Sequence, residues 1–184
     1  FVRRSIVDAW YPIYFKEVLG VSTTETAYQI TAWGIAVLGI IGGFVFGIMS
    51  DRLFKGRRPP AIALCFIGMV LILLLFYFGE YLKFGVYYDV LMITLLSFFV
   101  NGAHGMIGGA VSMDYGGKKA AATAAGLIDG FQYLAGAFVG IAVGYIVSNY
   151  GWSMWKIWAI PFAAIGAFVM ILLWNVVPNK KSSH

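Results

Sequence analysis

Six blocks of apolar residues follow one another along the chain, parted by short polar links. They cover residues 1 to about 18, broken by Pro12, then about 24–49, 60–78, 88–111, 120–148 and 155–177. The stretches 61–78 and 155–177 approach or exceed the ~20 residues that a helix needs to cross a bilayer. Each block therefore predicts a transmembrane helix, and the fold class expected is an all-α membrane protein of six transmembrane helices. Phe1-Val2-Arg3-Arg4 enters the first block without the cap or polar flank that begins a span. The expectation is that residue 1 lies inside a helix, so that the first helix is truncated. No charged leader, apolar core and cleavage site follow in order, so no signal peptide is expected.

Composition excludes a soluble reading. Hydrophobic residues make up 61% of the chain and charged ones 11%, against roughly 25% charged in a soluble domain. That leaves too few polar residues to cover a water-facing surface. Cys65 sits inside an apolar block, can form no intrachain disulfide, and reads as a packing residue. No CxxC, HExxH or comparable spacing occurs, so no metal or other cofactor is expected. No nucleophile–base pair, phosphate-cradling glycine loop or carboxylate dyad emerges either, and an enzyme is not expected.

Charge orients the bundle. The net charge of +5 would suit nucleic acid, but the basic residues stand in short clusters between apolar blocks, as in cytoplasmic membrane loops. The link Asp51-Arg-Leu-Phe-Lys-Gly-Arg-Arg58 carries four, Lys118-Lys119 two, and the tail Lys180-Lys181 two. The links on the opposite side carry Lys16, Lys83 and Lys156. The excess of basic residues places the first set in the cytoplasm. Residues 1–177 then form the transmembrane domain and 178–184 a cytoplasmic tail, with appended residues an open alternative there. Gly39, Gly43 and Gly47, and likewise Gly136, Gly140 and Gly144, recur every four residues. Such stripes let helix backbones approach closely.

Ionisable side chains at membrane depth cost about 2.5–3.5 kcal/mol on the insertion scale and ask for a reason. Arg3, Arg4, Asp8 and Asp129 stand out. Adjacent arginines lie ~100° apart around an α-helix, so Arg3 and Arg4 should not face one cavity together. Arg4 and Asp8, four apart, share a face: either an intrahelical ion pair or an arginine presented to an anion, since a guanidinium forks onto phosphate oxygens. Asp129, between Gly126 and Gly130, either pairs with a basic residue of another helix or carries a proton. His104 is either a hydrogen-bonded packing residue or a titrating, substrate-binding one. Tyr11, Tyr14, Tyr28, Trp33, Gln132 and Tyr133 add groups that serve a polar pocket or an aromatic belt equally well.

Three motifs carry a resemblance. Gly47-Ile-Met-Ser-Asp-Arg-Leu-Phe-Lys-Gly-Arg-Arg58 resembles the signature loop that follows the second helix of each half in the major facilitator superfamily, in its longer form. A glycine there allows tight helix contact, and Asp51 can cap the next helix or pair with an arginine. Arg4 followed by Trp10-Tyr-Pro-Ile-Tyr-Phe-Lys-Glu-Val18 resembles the seventh helix of glycerol-phosphate and hexose-phosphate transporters. Gly117-Lys-Lys-Ala-Ala-Ala-Thr-Ala-Ala-Gly-Leu-Ile-Asp-Gly-Phe-Gln-Tyr-Leu-Ala-Gly136 resembles their entry into the eleventh helix. The resemblance covers the whole chain and identifies the organophosphate:phosphate antiporter family. It implies the C-terminal half, helices 7–12, of a twelve-helix fold.

That resemblance further implies a secondary active transporter in the bacterial inner membrane. It would exchange a sugar phosphate or glycerol phosphate for inorganic phosphate by alternating access, as a monomer completed by an N-terminal half. Arg4 would clamp the phosphoryl group. Tyr11, Tyr14, His104, Asp129 and Tyr133 are the other substrate-site candidates, and Gly47, Asp51, Arg52, Gly56, Arg57 and Arg58 form the signature loop. A sugar-phosphate sensor, or a carrier for another organic anion, remains open as an alternative.

Overall fold

The computed structural model describes residues 1–177, with the side chains of 115–119 outside that description. The tail 178–184, with Lys180 and Lys181, and the side chains of Lys118 and Lys119 therefore lie outside the described residues. Among the described residues the structure is helical, with no strand. A π-helical segment, Arg3–Trp10, runs directly into α1, Tyr11–Glu17. Then come α2 (Thr26–Arg52), α3 (Arg58–Tyr81), α4 (Val86–Gly105), a second π-helical segment (Met106–Val111), α5 (Ser112–Tyr150) and α6 (Trp152–Leu172). Five stretches are long and apolar enough to cross a membrane: Thr26–Arg52, Arg58–Tyr81, Val86–Asp114, Ala120–Tyr150 and Trp152–Leu172. The described part of the first block falls short of the ~20 residues a span needs.

Local chemistry sets these boundaries. Pro59 and Pro60 stand in the first turn of α3, where an amide N–H would have no intrahelical partner, and Pro12 stands just after the π winding passes into α1. Gly151, with φ of +83°, ends α5 and precedes α6, and Gly85, with φ of +90°, precedes α4. One link differs from expectation. The chain around Lys118–Lys119 reads as a loop, yet helical backbone continues through it into α5. A straight helix would hold residues 104 and 132 roughly 42 Å apart. Both line one cavity, so the chain turns back between them and the cavity lies between α4 and α5.

The bundle is built on two helix pairs, α2 along α4 and α3 along α6, joined by α3 against α4. Only small residues permit the first approach. A methyl group on Gly42 would collide with the backbone carbonyl of Phe98, and Ser97 Oγ donates to the Ile35 carbonyl across the same seam at 2.8 Å. The stripe of close approach expected on α2 is Gly39, Gly43 and Gly47. The structure corrects it: Gly39 packs against Ser97 and Asn101, but Gly43 and Gly47 touch no neighbouring helix. They open onto a cavity instead. An i+4 spacing drifts around a helix of 3.6 residues per turn, so the contact passes from Gly39 to Gly42. On α5, Gly136 and Gly144 face the Arg4 and Trp10 side chains, while Gly140 faces open space.

Candidate functional site

The link between α2 and α3 is held by a charge network. Arg58 pairs through Nη1 with Asp51 and through Nε with Asp114 Oδ2 at 2.9 Å, and its Nη1 reaches Ser50 Oγ at 3.2 Å. Ser50 Oγ donates to the Arg57 carbonyl, and Arg57 Nε donates to the Phe54 carbonyl. The turn passes through Lys55 and Gly56, with φ of 54° and 82°; the second position favours a glycine. Asp51 thus takes the pairing role rather than the capping one. Arg52 is exposed. The Arg58–Asp114 pair also ties this link to the beginning of α5, which puts both at one end of the bundle.

The first π-helical segment brings the charges of the opening block together. In π winding the backbone bonds run from i to i+5, so residues five apart share a face. Asp8 therefore meets Arg3, at i−5, as well as Arg4, at i−4. Arg3 Nε lies 3.3 Å from Asp8 Oδ2, and Arg4 Nη1 lies 3.4 Å from the same oxygen. The expectation that neighbouring arginines diverge holds for an α-helix and fails here. Arg4 also lies over the Tyr133 ring, 4.8 Å from its centroid. Trp155 of α6 bonds to this segment: its indole N–H donates to Ser5 Oγ at 3.0 Å and to the Ser5 carbonyl at 3.2 Å.

Two cavities adjoin these charges. One, of about 610 Å³, lies between the π-helical segment, α2 and α4; Arg3, Asp8, Asn101 and His104 are its polar lining, with Gly43 and Gly47 in its wall. The other, of about 360 Å³, lies between that segment, α4 and α5, and presents Arg3, Arg4, His104 and Gln132. Arg3 and His104 face both. This is the chemistry of an anion site: fixed guanidinium donors, an imidazole and an amide in a largely apolar wall.

A second charged cluster lies at the other end of the bundle, where α3 ends and α4 and α6 begin. Lys156, wholly buried, donates to Glu80 Oε2 at 2.8 Å and to Tyr14 Oη at 3.0 Å. Tyr14 donates in turn to Asp89 Oδ2 at 2.9 Å, and Ser153 to Glu80 Oε1 at 2.6 Å. The ammonium also sits 3.9 Å from the Phe76 ring centroid. Each charge here has its partners inside the protein.

The sequence candidates therefore divide. Arg4, His104 and Tyr133 gather around the cavities, with Arg3 and Gln132. Tyr14 does not: it is 1% exposed and belongs to the Lys156 cluster, so its hydroxyl has no free face for a ligand. Tyr11 stacks on Tyr28, centroids 5.7 Å apart, beside Phe15. Asp129 is exposed on α5 and makes no salt bridge with another described residue, so the helix partner expected for it is not found among them. Lys156, expected in a link on the far side of the membrane, is a buried residue of α6. Asn101 on the cavity wall was also passed over, because a lone asparagine in an apolar block carries no spacing signal. Among the described residues no group of His, Cys, Asp and Glu side chains could hold a metal ion.

Comparison with known proteins bears on this arrangement. The family described as the Major Facilitator Superfamily matches residues 1–184. A glycerol-3-phosphate transporter of Bacillus subtilis is 32% identical over 100% of this chain and 40% of its own length. A probable hexose phosphate transport protein of Chlamydia trachomatis is 28% identical over the same shares. The membrane sensor protein UhpC of Escherichia coli is 28% identical over 99% of this chain and 40% of its length. The chain thus spans about 40% of the length of the curated relatives it matches. These relatives are transporters and a sensor, not enzymes. No solved structure matches the chain significantly.

Proposed function

The chain belongs to the major facilitator superfamily, within the branch of glycerol-phosphate and hexose-phosphate transporters, and from that premise we propose that the full protein exchanges a phosphorylated metabolite for inorganic phosphate. In this reading residues 1–177 are the C-terminal six-helix half, helices 7–12, and 178–184 a cytoplasmic tail. The basic links Asp51–Arg58 and Lys118–Lys119 lie in the cytoplasm of a bacterial inner-membrane protein that works as a monomer. The superfamily is itself a standing example of inverted repeats nested in each half, moving by alternating access around a central site.

One observation carries the proposal. Arg4 stands on a cavity wall with its guanidinium over Tyr133, and among the described residues its ionic contact is one Asp8 oxygen at 3.4 Å. A guanidinium has five N–H donors, so most are free for phosphoryl oxygens. Arg4, His104 and Tyr133 form this half's share of the substrate site, which an N-terminal half closes; Tyr11 and Asp129 line neither cavity.

The test uses the full-length protein in phosphate-loaded liposomes, with uptake of labelled glycerol-3-phosphate and glucose-6-phosphate. Uptake that requires internal phosphate is expected, and Arg4→Lys, which keeps the charge but loses the planar fork, should depress it sharply. No phosphate-dependent uptake of any phosphoester would overturn the exchange reading. A second reading, a sugar-phosphate sensor, is favoured by the likeness to the membrane sensor protein UhpC. It predicts binding of the same phosphoesters without exchange.

A further inference from the structure

We propose that Arg3 and Arg4 together form a two-guanidinium anion site, and that Asp8 is its resident counter-anion, displaced when a phosphate group binds. The proposal rests on the exchange reading for its ligand class alone, a phosphate dianion or phosphomonoester.

Stoichiometry is the first ground. If Asp8 served only to neutralise charge at membrane depth, one arginine would suffice. Here two guanidiniums share one carboxylate, and no other described carboxylate lies within salt-bridge distance of either. The cluster therefore keeps a surplus positive charge in an apolar setting, the costly arrangement that marks a functional residue. His104 beside it brings no compensating negative charge.

Geometry is the second. A carboxylate and an arginine at their best form a fork with two parallel short bonds. Neither pair does so: the contacts run from 3.3 to 3.5 Å, and both arginines reach for Oδ2. Asp8 is spread between two donors and satisfies neither. A phosphate group offers more oxygens and can engage both forks at once. The arginines and Asp8 are about a third exposed, so releasing the carboxylate to the 610 Å³ cavity costs little.

Position is the third. Arg3 faces both cavities, whereas Arg4 faces the smaller one. The π winding is what puts Arg3 there, and Trp155 bonds to that segment at Ser5. Arg3 thus bridges the two spaces, and an anion held by both arginines lies where they meet.

The experiment titrates purified full-length protein with inorganic phosphate, and separately with glycerol-3-phosphate, reading thermal stabilisation, while exchange is measured in parallel in liposomes. Arg3→Gln should raise the half-saturating concentration on the order of tenfold, as loss of a charge-assisted contact does. Arg3→Lys should fall between, retaining charge without the fork. Asp8→Asn, nearly isosteric, should lower it several-fold by removing the competitor. Equal curves for wild type, Arg3→Gln and Arg3→Lys would overturn Arg3 as a ligand. A raised half-saturation in Asp8→Asn would overturn the displaced counter-anion. Should Arg3→Gln not fold, Arg3→Lys and Asp8→Asn decide the matter. Phosphate binding without exchange sinks the exchange reading and keeps this site. Exchange with unaltered variant curves does the reverse, and neither binding nor exchange in wild type overturns both.

Discussion

The charged clusters around Lys156 and around Asp8 differ in how completely the protein satisfies them. Around Lys156, four helical elements contribute an ammonium, two carboxylates, a phenol and a hydroxyl that bond to one another at 2.6–3.0 Å with the lysine sealed from solvent. Around Asp8, two arginines share one carboxylate at 3.3–3.4 Å and border open cavities. A satisfied network fixes the positions of α1, α3, α4 and α6 and has nothing left to offer a ligand. A cluster with surplus donors holds its backbone loosely by charge and keeps the donors for something else. Completeness of bonding separates structural charge from functional charge, which residue type alone does not.

The sharpest way to break this comparison is Lys156→Met. Removing the ammonium leaves the buried Asp89 and the half-buried Glu80 without a cation, and breaking a buried pair this way costs about 3–5 kcal/mol at the most. In the full-length protein in detergent this should appear as a large fall in unfolding temperature or as loss of folded material. The double variant Lys156→Met/Glu80→Gln should recover part of it. An unchanged unfolding temperature in the single variant would show that the cluster contributes no more than an exposed ion pair.

Tyr14→Phe is the next largest. It strips Asp89 of its donor and Lys156 of an acceptor, and a buried group left without its hydrogen bond costs about 1–3 kcal/mol. Tyr14 is also a sequence candidate for the substrate site, so two readouts separate its roles. Stability should drop while the half-saturating concentration of phosphate stays where it was. The opposite pattern would return Tyr14 to the ligand.

The clusters also differ in how legible they were. Arg3, Arg4 and Asp8 fall early in an apolar block and announce themselves, because charge in such a place is costly. Lys156, Glu80 and Asp89 stand at the edges of their blocks, where a charge ordinarily meets water. Their burial depends on three helix ends and Tyr14 converging, which no single segment records. The six blocks were readable from length and hydropathy, and Asp51 and Arg58 from the spacing of the signature loop. The π winding was not readable, and the Trp155–Ser5 hydrogen bond made to it joins residues 150 apart. The reading of Arg3 failed with it. The seam glycine was missed for a related reason: a stripe drawn at i+4 on one helix does not show where its partner lies.

Trp155→Phe tests the link between the clusters. The ring still fills its buried place beside Tyr14 and Phe76, but the donor to Ser5 is lost. About 1 kcal/mol of stability should go with that hydrogen bond. If the bond holds the π winding, Arg3 also loses its approach to Asp8, and the half-saturating phosphate concentration should rise although Trp155 lines neither cavity. A stability loss with unaltered phosphate binding would mean that the winding has other supports.

The smallest effect belongs to Tyr133, and it tests the open cluster at its rim. Its ring is 68% exposed and lies under the Arg4 guanidinium, an arrangement worth about 0.5–1 kcal/mol at an exposed site. Tyr133→Phe keeps the π face and should leave phosphate affinity close to wild type. Tyr133→Leu removes the face and should weaken affinity roughly two- to fivefold by the same energy, with little change in unfolding temperature because nothing buried is lost. If Tyr133→Phe costs as much as Tyr133→Leu, the hydroxyl is the active group and Tyr133 meets the ligand directly rather than through Arg4. Either result keeps the contrast with Tyr14: one tyrosine whose loss is felt in binding, and one whose loss is felt in folding.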